Sequence, residues 1–289
     1  MRIALALIAA AGLAVSALAQ DAKPDAKPET KPTEATQPAA QPATQAGAAQ
    51  PELPATPSPI PVPDLPVVKT TELEGGVIAE DMVIGEGYEV KEGGAIVAHY
   101  HGTLKADPTK VFDSTFKTGQ PAIFPLPQLF KGWQIGVPGM KVGGIRRIII
   151  PAALGLGAEG SGDDMIPPNS DLVFVIKLLD ALQVVEVKEG EGDAVAGQFV
   201  AVTAHTIKDK DGKTLQSCDA SKPHIWLPNE FAAVEWGLGG MKAGGKRKLI
   251  VPKELNIGSA TGKPDWAQNV PLEIEVELVA LRNLPMRQR

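Results

Sequence analysis

Residues 240–252 read GMKAGGKRKLIVP, and residues 139–151 read GMKVGGIRRIIIP. The two stretches lie 101 residues apart and share a Gly-Met-Lys run, a pair of glycines and a closing proline. Downstream, DLVFVIKLL at 171–179 is echoed by PLEIEVELV at 271–279. A period near 100 residues is too long for a solenoid, whose repeats span roughly 20 to 50 residues. The sequence therefore predicts a duplicated domain.

Each copy reads mainly as β-strand. Residues 272–278, LEIEVEL, alternate strictly between aliphatic and acidic side chains, which is typical of a half-buried antiparallel strand. Residues 95–101, AIVAHYH, predict a strand with Ile96, Ala98 and Tyr100 on one side. One short helix is expected in each copy, near 126–137 and near 229–238. The predicted fold class is α+β: two tandem domains, each a curved antiparallel sheet wrapped around one short helix.

The beginning of the chain has a different character from the rest. Residues 1–19 combine an early Arg2, an apolar run and a small-residue exit, which predicts a secretory signal peptide. A retained membrane anchor is the alternative, although the apolar run is shorter than the ~20 residues that a bilayer requires. Residues 20–66 are rich in Ala and Pro and predict a disordered tether. The domains are then expected at 67–182 and 183–289.

Composition narrows the classes of partner and chemistry. The net charge is −6, which argues against nucleic acid as the main partner. The single cysteine, Cys218, cannot form an internal disulfide and has no histidine partner in a recognisable motif. No cofactor is expected, because the G-x-G-x-x-G match at 155–160 is followed by a segment that cannot begin a helix. No metal is expected either, since nothing nearby completes a ligand set with His99 and His101.

Five blocks of the first copy follow one another between residues 97 and 179: VAHYHGTL, VFDST, LFKGWQIGVPGM, IPAALGLG and MIPPNSDLVFVIKLL. In order and spacing they resemble the FKBP-type peptidyl-prolyl cis-trans isomerases. The resemblance covers about 75–180, and a weaker version recurs from about 184 to 282. It implies an antiparallel sheet bent round a short helix, with an apolar pocket between them, and rotation about Xaa-Pro bonds as the activity.

The resemblance also implies roles for individual residues of the first copy. Trp133 would form the pocket floor under the proline ring, and Tyr100 would line the wall and offer its hydroxyl. Asp113 falls where the family has an acidic group, and the backbone N–H of Phe130 falls where a substrate carbonyl is bound. The remaining residues implied for the pocket are Phe112, Phe174, Leu129, Leu156, Met165 and Ile166.

Both copies depart from the family pattern. Ala122 replaces a usual aromatic residue and Leu156 a usual tyrosine, so we expect a weakened isomerase in the first copy. The second copy loses more, because Ala204 is predicted at the position of Tyr100 and Val234 at that of Trp133. Its other predicted replacements are Leu215, Gln216 and Ile274 for Phe112, Asp113 and Phe174. We therefore predict that the second domain is inactive.

The function expected from the sequence is that of an exported peptidyl-prolyl cis-trans isomerase and folding factor. Its expected partners are unfolded or proline-containing polypeptides, with room for a protein partner of the second domain. Neither nucleic acid nor, after signal cleavage, a membrane is expected as a partner. The alternative is a non-catalytic binding or scaffold protein, and it is kept because Ala122 and Leu156 depart from the family pattern.

Overall fold

The structure is a computed structural model, and it describes residues 59–162, 164–196, 198–228, 230–256 and 270–284. The predicted signal peptide 1–19 and residues 20–58 of the predicted tether lie outside the described residues. In the part that is described, no helix is both long enough and apolar enough to span a membrane.

The first half of the described chain forms a seven-stranded antiparallel sheet. Its strands are β1 (Lys69–Glu72), β2 (Ile78–Val83), β3 (Ala95–Leu104), β4 (Val111–Ser114), β5 (Ala122–Pro125), β6 (Ile145–Ile150) and β7 (Leu172–Ala181). Hydrogen-bonded neighbours follow the order β1-β2-β6-β7-β3-β4, and β5 lies beside β3.

The second half repeats this arrangement, and the described residues include no counterpart of β1 there. Its strands are β8 (Gln183–Lys188), β9 (Glu191–Ala194), β10 (Phe199–Asp209), β11 (Thr214–Cys218), β12 (His224–Trp226), β13 (Lys242–Ala243), β14 (Lys246–Val251) and β15 (Leu272–Asn283). The sheet order is β11-β10-β15-β14-β8, with β12 beside β10 and a separate β9-β13 pair. The predicted fold class is therefore confirmed.

The alternation of side chains explains why the last strand of each half lies where it does. In β15, Leu272, Ile274, Val276 and Leu278 are all buried in the core of the second half. The glutamates between them lie on the other face, where Glu277 and Glu273 pair with Lys246 and Lys248 of β14 at 2.9 Å. In β7 the corresponding inner residues are buried in the core of the first half.

As far as the chain is described, each half contains one short α-helix, α1 (Lys131–Gly136) in the first and α2 (Ala232–Leu238) in the second. The single helix predicted over 126–137 was wrong in its first part. A 3₁₀ turn covers Leu126–Gln128, and the backbone is extended at Leu129 (ψ 166°) and Phe130 (ψ 157°) before α1 begins. Pro127 in the middle of this turn has no N–H to donate to a continuous helix.

The two halves share apolar contacts through β3. Ile96, Ala98 and Tyr100 point into the first core, as predicted. Ala95 and Val97 point the other way and are buried in the core of the second half. Because both faces of this strand are covered, the second domain packs directly on the strand that carries Tyr100.

Candidate active site

Trp133 lies in the middle of α1 and is only 3% exposed. The helix can approach β6 closely because residue 132 is glycine: a Cβ there would come within 2.2 Å of Ile150 Cγ2. Arg146 holds the end of the helix, since its Nη1 donates to the carbonyls of Gly136 and Pro138 at 3.0 and 3.2 Å. These bonds satisfy carbonyls that a helix leaves without intrahelical partners. The indole is therefore fixed from two sides.

Tyr100 comes from β3 and stands edge-on to the indole, with ring centroids 5.9 Å apart and planes at 80°. Edge-to-face packing is a favourable geometry for two aromatic rings. The Tyr100 hydroxyl donates a hydrogen bond to Asp113 Oδ2. Burial, and then the bond to Asp113, raise the pKa of this hydroxyl above its ordinary value, so it stays protonated at physiological pH.

Phe174 of β7 links the remaining rings. Its ring lies 5.2 Å from Trp133, 5.5 Å from Phe112 and 5.8 Å from Phe130, measured between centroids. Gly102 opposite Phe174 makes this possible, because a Cβ at that position would meet Phe112 Cε2 at 2.5 Å. The structure thus brings together all five aromatic residues that the resemblance selected.

The four aliphatic or thioether residues of the predicted set differ in their environment. Ile166 is buried in the first core, and Leu129 and Leu156 are half-buried against it. Met165 is 41% exposed. Leu129, Leu156 and Ile166 are therefore in position to enclose the rings, whereas Met165 is more exposed than these three residues.

The backbone at Phe130 offers a donor. The Phe130 carbonyl accepts from the N–H of Trp133 at 3.0 Å and, more weakly, from that of Gln134 at 3.4 Å. The N–H of Phe130 itself has no hydrogen-bond acceptor among the described residues. A backbone donor without a partner at the edge of an aromatic cluster can bind a carbonyl oxygen of a ligand.

One aromatic residue of this cluster was missed from sequence. Phe124 of β5 lies 5.0 Å from Trp133 and 5.2 Å from Tyr100 between ring centroids. It is two residues after Ala122, so the alternation of β5 places both side chains on the same face. That alternation was the signal available in the sequence. We call the six residues Tyr100, Phe112, Phe124, Phe130, Trp133 and Phe174 the aromatic cluster.

The second domain has a different set at the corresponding positions. Tyr100 pairs with Ile176 across the sheet, and His205 pairs with Val276. Because β15 repeats β7 at a distance of 100 residues, His205 stands where Tyr100 stands in the first domain. The sequence-based prediction of Ala204 at this position was wrong by one residue. The loops before β10 shift the register, which the repeated GEG at 85–87 and 190–192 had already indicated.

Two imidazoles and one indole form a smaller group of rings in this second domain. His205 and His224 lie 5.6 Å apart between ring centroids, and His224 lies 4.2 Å from Trp226. Trp226 Nε1 donates to Thr203 Oγ1 at 2.9 Å. Arg247 bonds to the end of α2, at Gly237 and Gly239, in the way that Arg146 bonds to the end of α1, at Gly136 and Pro138. Aligned by these bonds, Val234 takes the place of Trp133, as predicted.

Cys218 lies beside this group and has a histidine neighbour in the folded chain, which no sequence motif indicated. Its Sγ is 3.4 Å from His205 Nδ1, because β11 pairs with β10. His205 is a weak base here, since burial and then His224 lower its pKa to about 4. An imidazole with that pKa does not remove a thiol proton at neutral pH. No group of three or more His, Cys, Asp or Glu side chains in the described ranges is arranged to hold a metal ion.

Acidification is expected to destabilise the second domain through His205. In the unfolded chain this imidazole titrates near 6.5, whereas in the folded chain its pKa is about 4. Between these values the unfolded state binds the extra proton, so the free energy of unfolding falls as the pH falls. The full difference between the two pKa values corresponds to ~3 kcal/mol of unfolding free energy, and partial solvent screening of the imidazole reduces the expected loss to about 2 kcal/mol.

Urea titrations at pH 7 and at pH 4.5 measure this effect. The wild type should lose more free energy of unfolding over that interval than His205→Gln, whose side chain at position 205 does not titrate. Equal losses in the two proteins would show that another group carries the pH dependence.

Comparison with known proteins places this geometry in a family. The model of the FKBP-type peptidyl-prolyl cis-trans isomerases matches residues 87–179 and again residues 190–279. "Probable FK506-binding protein" of Corynebacterium glutamicum is 41% identical over 118 residues, which are 41% of this chain and 95% of that protein. "Peptidyl-prolyl cis-trans isomerase" of Saccharomyces cerevisiae is 45% identical over 113 residues, 38% of this chain. The chain spans about a quarter of the length of that yeast relative, at 26%.

Among solved structures, a peptidyl-prolyl cis-trans isomerase from Pseudomonas syringae pv. tomato is 32% identical, with a TM-score of 0.36. That match covers 39% of this chain and 80% of the solved one. The two family matches together span more than half of the sequence and coincide with the two sheets. The chain therefore belongs to the FKBP-type peptidyl-prolyl cis-trans isomerase family, and it carries two tandem domains of that family.

Proposed function

We propose that the protein is an exported folding factor whose first domain catalyses cis-trans isomerisation of Xaa-Pro bonds. The aromatic cluster of the first domain is the observation that carries the proposal, above all the buried indole of Trp133 with the Tyr100 ring 5.9 Å away. Export is supported by the residue pattern of 1–19, and a mature protein beginning at Gln20 would be detected by mass spectrometry.

The chemistry of proline isomerisation suits a dry aromatic site. Resonance gives the Xaa-Pro bond a rotation barrier near ~20 kcal/mol. The twisted amide has less charge separation than the planar one, so an apolar surrounding favours it relative to water. The N–H of Phe130 is a donor fixed in place before the substrate arrives, and the bond from the Tyr100 hydroxyl to Asp113 holds the Tyr100 ring in the wall of the site. Interactions that are stronger with the twisted amide than with the planar one lower the barrier.

In this proposal each predicted site residue of the first domain has a role. Trp133 and Phe174 receive the proline ring, and Phe112 and Phe130 flank it. Asp113 orients the Tyr100 hydroxyl through the hydrogen bond between them. Leu129, Leu156 and Ile166 limit the access of water, and Met165 contacts the polypeptide on either side of the proline.

Replacing Trp133 tests this assignment. We expect Trp133→Leu to lower kcat/KM of a protease-coupled proline-isomerase assay at least tenfold, a loss of ~1.4 kcal/mol of transition-state stabilisation. Tyr100→Phe should give a smaller loss, because the ring remains and only the hydrogen bond from the hydroxyl to Asp113 is removed. Val234→Ala, at the corresponding position of the second domain, is the matched control and should leave the rate unchanged. Circular dichroism verifies that each variant is folded.

A second candidate function follows from Ala122 and Leu156. A pocket that lacks one ring and one phenol hydroxyl can bind polypeptide without useful turnover, so the protein would act as a scaffold. Peptides that vary the residue before proline distinguish the two functions. A rate equal to the uncatalysed rate for every peptide would refute the isomerase and leave the scaffold.

A further inference from the structure

The peptide unit that carries the Phe130 N–H lies between two segments that backbone hydrogen bonds hold in place. Before it, the N–H of Leu129 donates to the carbonyl of Leu126 at 3.1 Å and closes the 3₁₀ turn. After it, the carbonyl of Phe130 accepts from the N–H of Trp133 at 3.0 Å. The unit itself consists of the Leu129 carbonyl and the Phe130 N–H. No backbone hydrogen bond within the described ranges holds either of these two groups.

A side chain of α1 binds this peptide unit. Gln134 Nε2 donates to the Leu129 carbonyl at 2.5 Å, and it also lies 3.4 Å from the carbonyl of Pro127. At the other end of the same amide, Oε1 accepts from Lys131 Nζ at 3.2 Å. A carboxamide offers two N–H donors and one carbonyl acceptor. Both ends of the Gln134 side chain are therefore matched to their neighbours.

The bond from Gln134 restricts the direction of the Phe130 N–H. A peptide unit is planar and trans, so its N–H points away from its carbonyl. If the unit turned over, the Leu129 carbonyl would have to leave Nε2. The helix that carries Gln134 is itself held at its end by the bonds from Arg146 to the carbonyls of Gly136 and Pro138. A hydrogen bond to the carbonyl also polarises the unit, which strengthens its N–H as a donor.

We propose that Gln134 is a positioning residue for the isomerase, because it holds the Phe130 N–H available for a substrate carbonyl. The inference rests on the function proposed for the first domain, and it adds a residue that the resemblance did not select. Gln134 acts through the peptide unit of Leu129 and Phe130 and not on the substrate directly. A donor that is oriented before the substrate arrives needs no reorganisation during the reaction.

Replacing Gln134 by methionine tests the proposal, since methionine has a similar length and no N–H donor. We expect Gln134→Met in the full chain to lower kcat/KM for a proline-containing tetrapeptide about three- to tenfold, the range for one lost hydrogen bond. Gln120→Met makes the same replacement at an exposed glutamine of the first domain and is the matched control. It should change the rate by less than about twofold. Urea unfolding verifies that both variants are folded under the assay conditions.

NMR spectroscopy gives a readout that a merely structural role of Gln134 would not move. With saturating tetrapeptide, the Phe130 amide proton of the wild type should move to lower field as it binds a carbonyl, and it should move less in Gln134→Met. The indole N–H of Trp133 should move equally in both proteins, because the aromatic cluster still receives the proline ring. Without peptide, the Leu129 carbonyl carbon should move to higher field in Gln134→Met, since its hydrogen bond is lost.

Two results would overturn the inference while leaving the isomerase assignment intact. One is a wild-type rate that Gln134→Met keeps within about twofold. The other is an equal displacement of the Phe130 amide proton in both proteins, which would mean that the N–H keeps its direction without Gln134.

A wild type that catalyses nothing would refute the isomerase assignment, and the NMR titration would then decide the inference alone. A smaller displacement of the Phe130 amide in Gln134→Met would support it for a site that binds polypeptide without turnover. An equal displacement, or none in the wild type, would overturn it.

Discussion

Replacing Arg146 by leucine is expected to lower the free energy of unfolding by about 3–5 kcal/mol. Arg146 Nε lies 2.6 Å from Asp81 Oδ1 and Nη2 lies 3.2 Å from Oδ2, and both residues are buried. Leucine would leave the Asp81 carboxylate buried without its cation. It would also remove the bonds to Gly136 and Pro138 that hold the end of α1, so the isomerase rate should fall with the stability.

The second domain provides a matched comparison for this ion pair. Arg247 makes the same bonds to the end of α2, but its partner Glu186 has a side chain that is 44% exposed, against 11% for Asp81. Water can solvate Glu186 when the cation is lost, so we expect Arg247→Leu to cost about 1–2 kcal/mol. Urea unfolding followed by circular dichroism measures both variants.

A double substitution separates the loss of the cation from the loss of packing. Asp81→Leu combined with Arg146→Leu removes both charges, and we expect it to be more stable than Arg146→Leu alone. If the double variant were less stable than Arg146→Leu, the buried Asp81 carboxylate would not be the cause of the stability lost in the single variant. The same conclusion would follow if Arg247→Leu were as harmful as Arg146→Leu.

Substituting aspartate for Val97 is expected to separate the two domains. Val97 belongs to the first domain by sequence but is buried in the core of the second, together with Leu182. An aspartate there would be a carboxylate without a described partner in an apolar contact, so we expect a loss of about 3–5 kcal/mol. The contact lies on the face of β3 opposite Tyr100, so the aromatic cluster itself should remain assembled.

Calorimetry and the isomerase assay together measure this effect. The wild type should unfold with coupled domains, whereas Val97→Asp should unfold in two separate transitions and keep its isomerase rate below the first of them. Val279→Asp places the same charge on an exposed valine of the second domain and should change stability by less than about 0.5 kcal/mol. A single, slightly shifted transition in Val97→Asp would show that the shared contact does not couple the domains.

Several features of the molecule were predictable because their signals are local. The alternation of Leu272 to Leu278 identifies a strand and its buried face without reference to any other segment. The repeated Gly-Met-Lys run identifies the duplication, since two copies of a domain need the same turns. Trp133, Tyr100 and Phe174 could be chosen because they stand in sequence blocks with the spacing of a known family.

Other features depend on which strands become neighbours, and local patterns do not contain that information. Alternation tells which face a residue of β10 occupies but not its partner, so a shift of one residue exchanged Ala204 for His205 at the position of Tyr100. Asp81 and Arg146 are 65 residues apart and meet only because β2 pairs with β6.

By itself, the sequence determined the family, the two copies, the buried faces of the strands and most of the residues of the aromatic cluster. Only the tertiary structure decided that Val97 is buried in the core of the other domain, that His205 and His224 lie side by side, and that β8 has no neighbour beyond β14 among the described residues. The physical reason is that periodicity and turn chemistry act within a few residues. Register, burial between domains and the pairing of distant charges are set by how whole strands assemble.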